Sequence, residues 1–124
     1  MQTSNVSLAI RISDWSKWLE ENTTKYVNEE ISSEIYHFFL MADVTIGEEY
    51  MKLDWLGVNW SDTSEEVEYI LNWLEEIKHY DLIRIVNDEV FTDLHTGKNI
   101  LKIKHYVCLD DSWKKGNSYE TEKH

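Results

Sequence analysis

The segment EISSEIYHFFLMADVTI, residues 30–46, satisfies two periodicities at once, and the one the chain obeys decides the fold. Ile31, Ile35, Phe38, Phe39 and Ala42 recur at helical spacing, with Asn28 available as a cap and Glu29 and Glu30 where carboxylates suit the positive end of a helix dipole. Tyr36, Phe38, Leu40, Ala42, Val44 and Ile46 also alternate without a break, the period of a strand. The helical spacing, together with Gly57 downstream, favours the first reading. The second requires residues 35–46 and 50–56 to be strands.

Upstream, Val6, Leu8, Ile10 and Ile12 alternate with Ser7, Ala9, Arg11 and Ser13, which predicts a half-buried strand. Asp14 can then cap a helix carrying Trp15, Trp18 and Leu19 on one side and Glu20 and Glu21 on the other, ending near the polar Asn22, Thr23 and Thr24. Downstream, Met51, Leu53, Trp55, Leu56 and Val58 are interrupted by Gly57, which suits a short helix ending at a glycine or a strand with a bulge. Asp62 with Glu65, or Thr63 with Glu66, forms a capping box, and Val67, Ile70, Leu71, Leu74 and Ile77 make an apolar stripe running to about Tyr80. Two short apolar runs, 82–86 and 90–94, flank Asn87, Asp88 and Glu89, a hairpin signal. Residues 100–109 read as one long strand with Leu101, Ile103, Val107 and Leu109 on one face and Lys102 and Lys104 on the other. Residues 114–124 lack an apolar pattern and are expected to fray, leaving 1–113 as a single domain.

The 124 residues suffice for one domain with a real core. Hydrophobic types make up 42% and include 6 Trp and 7 Tyr, which excludes a disordered composition. With no Pro and no internal repeat, nothing signals a linker. Against 12 Lys and Arg stand 24 Asp and Glu, so duplex DNA and anionic lipid are repelled and a cationic partner is favoured. The acid is segregated: residues 14–93 hold 20 acidic and 5 basic side chains, residues 94–124 hold 4 and 6. Cys108, the single cysteine, has no partner for an intrachain disulfide, which agrees with a reducing compartment. Residues 1–10 lack a cationic start and an apolar core, and the longest apolar run, 38–42, is far short of the roughly 20 residues a membrane helix needs. A soluble, cytoplasmic protein is expected.

The stretch LDWLGVNWSDTSEEVEYILNWLEEIKHYDLIRIVNDEVF, preceded by EISSEIYHFFLMADV as a first helix, resembles a winged helix-turn-helix domain of the kind found in phage replisome organisers and plasmid replication initiators. The likeness lies in the order of elements: a short helix at 52–57, a polar turn at 59–63, a recognition helix at 64–80 and a wing at 82–94. It implies an α+β fold, a winged-helix-like helical body with a β-hairpin and extra N- and C-terminal strands. The alternative is a ferredoxin-like βαββαβ arrangement with one further strand. Where the family has Gly between recognition helix and wing, this chain has Tyr80 and Asp81. Charge departs further, because the outward stripe of the recognition helix is Glu65, Glu68, Tyr69, Asn72, Glu76 and His79, flanked by Glu66 and Glu75. Carboxylates facing phosphates cost affinity at each contact, so the DNA-reading role is not expected of these residues.

No catalytic constellation stands out. There is no nucleophile elbow or phosphate-binding loop, and the adjacent carboxylate pairs, such as Glu75 with Glu76, diverge as solvated faces instead of converging on one cleft. His105 and Cys108 are chemically suited to zinc but lack a second pair. Neither enzyme activity, metal nor cofactor is expected. The expected function is a non-enzymatic acidic module that occupies a cationic, nucleic-acid-binding surface of a partner protein, as an inhibitor or adaptor by charge mimicry. Phage-type inhibitors and nuclease immunity proteins are the analogous classes. Glu65, Glu68, Glu75 and Glu76 would stand in for phosphates, Tyr69 and Asn72 would add shape and hydrogen bonds, and Trp60 in its loop would be an anchor. The competing expectation is a winged-helix DNA-binding regulator or replication factor using Lys98, Lys102, Lys104, Lys114 and Lys115. The two outer strands are expected to share a sheet or to pair across a two-fold axis into a homodimer.

Overall fold

A computed structural model describes residues 3–98, 100–104 and 108–110. Residues 30–46 divide between the two readings: helix in the first part, and strand only in the last four residues. Ser33–Leu40 is helix α2, Met41 and Ala42 turn the chain, and Asp43–Ile46 is strand β2. The helix starts later than Asn28 because Ser32 is its cap, the Ser32 hydroxyl accepting from the Ile35 N–H at 3.2 Å. Asn28 instead closes the preceding helix, its N–H bonding to Thr24 O at 3.0 Å, and Glu29 follows in the left-handed region at φ 60°.

That preceding helix, α1 (Ile12–Val27), runs straight through the polar trio at 22–24. Their side chains bond back onto the helix and its neighbours instead of breaking it: Asn22 donates to Trp18 O at 2.8 Å, Thr24 to Glu20 O at 3.2 Å, and the Thr23 hydroxyl pairs with that of Tyr36 at 2.8 Å. Asp14 sits inside the first turn, 3.4 Å from Arg11, and is not the cap.

The short helix expected at 52–57 does not form. Those residues lie within β3 (Tyr50–Val58), where Met51, Leu53 and Trp55 alternate into the core and Gly57, at φ 64°, makes a bulge whose N–H is taken by Asn5 Oδ1 at 2.9 Å. α3 (Glu65–Ile77), β4 (Tyr80–Val86) and β5 (Glu89–Leu94) follow. From β1 (Ser4–Arg11) the chain runs α1, α2, β2, β3, α3, β4, β5, which up to β4 is the strand–helix–strand–strand–helix–strand order of the alternative reading with one helix added. A winged helix-turn-helix order is not the one observed.

The five strands form an antiparallel sheet in the order β2-β3-β1-β4-β5. β1 is thus the central strand, with Val6, Leu8, Ala9 and Ile10 all wholly buried, where an outer, half-buried strand was expected. It has no free edge to offer a second copy, and the edges are β2 and β5. One sheet face carries the helices, with Leu8, Ile10, Leu53, Trp55 and Leu82 packed against Trp18, Phe39, Ile70 and Leu74. Trp18 lies 3.9 Å from Phe39 by ring centroids and stacks on Trp15 at 5.5 Å, and fully buried side chains of this size contribute about 1.5–3 kcal/mol each. The other face carries Ala9, Tyr50 and Ile83 under Ile100 and Leu101. Residues 100–109 are not one strand. β6 (Lys102–Lys104) folds back antiparallel on β7 (Cys108–Asp110), pairing Ile103 with Leu109. The expected frayed tail, 114–124, lies outside the described residues.

Candidate functional site

α3 ends earlier than the sequence suggested and begins without a capping box. Ser64 is the N-cap residue and makes no side-chain cap bond; its hydroxyl donates instead to Ser61 O at 2.8 Å, while the Ser61 and Thr63 hydroxyls pair at 2.8 Å. At the other end Lys78 adopts φ 63° and closes the helix through its N–H to Leu74 O at 2.9 Å, freeing Tyr80 to begin β4. Val67, Ile70 and Leu74 are buried against the sheet. Glu65, Glu68, Asn72, Glu75 and Glu76 are exposed and Tyr69 is half-buried. At 3.6 residues per turn these positions fall on about a third of the helix circumference and span about 16 Å of its length. The Tyr69 hydroxyl donates to Asn22 Oδ1, tying the middle of this face to α1.

Among the described residues none of these carboxylates has a cationic partner; the ion pairs there include Arg11–Asp14 and Lys52–Asp54. Glu65, Glu66 and Glu68 at the N-terminus are favoured by the helix dipole. Glu75 and Glu76 are not. They stand at its negative end, in a helix whose last turn holds no basic residue, where each costs about 0.3–1 kcal/mol.

Trp60 does not join this face. It is 9% exposed, its ring lies 5.7 Å from that of Trp55, and its carbonyl accepts from Arg84 Nη1 at 3.2 Å. The loop folds its indole onto the body because leaving it in water would expose one of the largest apolar surfaces in the chain.

A second feature, which the sequence did not reveal, adjoins the face at Glu75. Leu74, Glu75, Lys78, Tyr80, Asp93 and His95 line an open cleft of about 610 Å³ between the end of α3 and strands β4 and β5. Asp93 organises it: Oδ2 accepts from the Tyr80 hydroxyl at 2.7 Å and Oδ1 from His95 Nε2 at 2.6 Å. The His95 N–H is held by Tyr80 O at 3.0 Å and by Asp81 Oδ1 at 2.8 Å, and its ring lies 4.7 Å from that of Tyr80. Burial first, then the bond to Asp93, raises the Tyr80 hydroxyl well above its ordinary value of 10.0, so it stays a donor. The signal that would have found this group is the strand alternation of Phe91, Asp93 and His95, which sets the last two on one face opposite Tyr80 and Leu82.

Among the described residues no three of His, Cys, Asp and Glu gather closely enough to hold a metal ion, and no helix is long and apolar enough to cross a membrane. His105, Lys114 and Lys115 lie outside the described residues. No family model, curated protein or solved structure matches this chain.

Proposed function

We propose that the protein is a non-enzymatic binding module whose acidic α3 face occupies a cationic surface of a partner, of the kind a nucleic-acid-binding protein presents. The observation that carries the reading is the set of exposed carboxylates on one helical face with no cationic partner among the described residues. Two of them, Glu75 and Glu76, oppose the dipole of their own helix, so they work against stability. An unopposed negative face accelerates encounter with a positive one and fixes register, and its carboxylates can accept the same charge-assisted bonds that phosphates accept. α3 presents them rigidly, because its other side is locked into the core by Val67, Ile70 and Leu74.

A lysine hexapeptide is a sufficient probe. Titrated into the protein, it should shift the amide resonances of residues 65–76 before those of the acidic residues on α1, and Glu65→Gln with Glu68→Gln should weaken it severalfold. Affinity should fall as salt rises from about 50 to about 500 mM, either side of the conditions where the screening length is roughly 10 Å. Shifts spread evenly over Glu20, Glu29, Glu48 and α3 would show a solubilising charge distribution and end the reading.

A further inference from the structure

The β4–β5 hairpin already holds one arginine over an aromatic ring. Arg84 lies with its guanidinium 5.0 Å from the Phe91 ring centroid and donates to Trp60 O at 3.2 Å, an aromatic floor combined with an oxygen acceptor. A small cavity lined by Trp60, Arg84, Phe91 and Asp93 surrounds it. Asp93 also lines the larger cleft of about 610 Å³, so the two spaces follow one another along β5. The larger one repeats the combination. Its lining includes Tyr80 with the His95 imidazole beside it, and the Asp93 and Glu75 carboxylates.

The His95 ring is held over the cleft by its Nε2 bond to Asp93, and its Nδ1 has no partner among the described residues. The one resident cation, Lys78, is exposed and held only by a 3.4 Å contact from Nζ to Glu75 O, so it can swing aside. A planar guanidinium, with five donors and no acceptor, matches these carboxylate acceptors beside aromatic rings better than a point-charge ammonium.

We infer that the cleft bounded by Glu75, Tyr80, Asp93 and His95 receives an arginine side chain of the partner. This rests on the acidic-face reading, since Glu75 belongs to both and the cleft continues that face toward β5. It deepens it by making one contact selective for arginine over lysine. The groups that face the incoming guanidinium are Glu75 and Lys78 from α3 and its cap, Tyr80 from β4, Asp93 from β5 and His95 just after it.

The test compares an arginine hexapeptide with a lysine hexapeptide of equal charge on the intact chain. The arginine peptide should bind about fivefold or more tightly and shift the amides of His95 and Thr96, as bidentate, stacked recognition is stronger than point-charge pairing. Asp93→Asn and His95→Ala, both at about half-exposed side chains and therefore compatible with folding, should each lower arginine affinity more than lysine affinity and bring the arginine-to-lysine ratio close to one. Lys78→Ala should raise the ratio. A wild-type ratio near one, or a ratio that survives both substitutions, would overturn the inference. Loss of the acidic-face reading is a separate result, in which Glu65→Gln with Glu68→Gln leaves the lysine affinity unchanged.

Discussion

Asp81 is 1% exposed and accepts three hydrogen bonds, from the His95 N–H at 2.8 Å, the Thr96 N–H at 3.0 Å and the Thr96 hydroxyl at 2.7 Å. It staples the chain leaving β5 to the start of β4 and so positions His95 at the cleft. Asp81→Ala strands the buried Thr96 donors and should destabilise by about 3 kcal/mol in urea unfolding, whereas Thr96→Val, losing one bond, should cost about 1–2 kcal/mol. The two losses should fall short of additive in the double variant, because they share a partner. At the same scale lies a pH dependence. Burial raises the hydroxyls of Tyr80 and Tyr50 above 10.0, so the folded chain holds these protons after the unfolded chain has released them. The stabilisation is complete below about pH 10 and is lost as pH rises past it, and Tyr80→Phe should flatten that alkaline loss in thermal melts. None of these roles was legible from the residue types. A buried Asp, a core Tyr and a strand His look alike in sequence until the register of β4 and β5 brings them together, and Trp60, read as an exposed anchor, proves buried for the same reason.

At the scale of elements, the sequence was most legible where local chemistry decides and least where tertiary pairing does. The β4–β5 hairpin needed only Asn87 and Asp88, which adopt φ 50° and 68°, the mirror-type turn that matches strand twist. Since an aspartate pays a steric cost there, Asp88→Gly should stabilise by about 0.5–1 kcal/mol in denaturant melts. Residues 52–57, by contrast, carry an apolar pattern that a short helix or a bulged strand would satisfy equally. What selects the strand is its pairing with β1 from Arg11 opposite Tyr50 to Val6 opposite Trp55, a partner some 45 residues away that no local window contains. The acidic stripe of α3 was legible because helical period alone fixes it. Glu76→Lys there should have two opposite effects: about 0.5 kcal/mol more stability from a favourable dipole contact, and weaker binding of the lysine hexapeptide. A variant stabilised and still fully binding would show that Glu76 is only a surface residue.

Across the whole molecule the sheet order β2-β3-β1-β4-β5 puts the first strand at the centre, paired with β3 on one side and β4 on the other. Around that core the formal charge is -12, with 24 acidic against 12 basic side chains, and the Arg11–Asp14 pair is part-exposed. Attraction between surface charges therefore contributes little to stability, and repulsion among carboxylates subtracts from it. Salt should act with opposite signs on the two properties of the protein. Raising it from about 50 to about 500 mM shortens the screening length below the spacing of most surface carboxylates and should stabilise the folded chain by about 1 kcal/mol, an increase of about 4 °C in melting temperature for a domain of this size. Over the same interval the lysine hexapeptide should bind more weakly, because the field that repels the chain from itself is the field that attracts the peptide. Melting curves and peptide titrations on one sample series measure both slopes. Slopes of the same sign would mean that the carboxylates are neutralised pairwise in solution, and the unpaired acidic face of α3 would not exist as a binding surface.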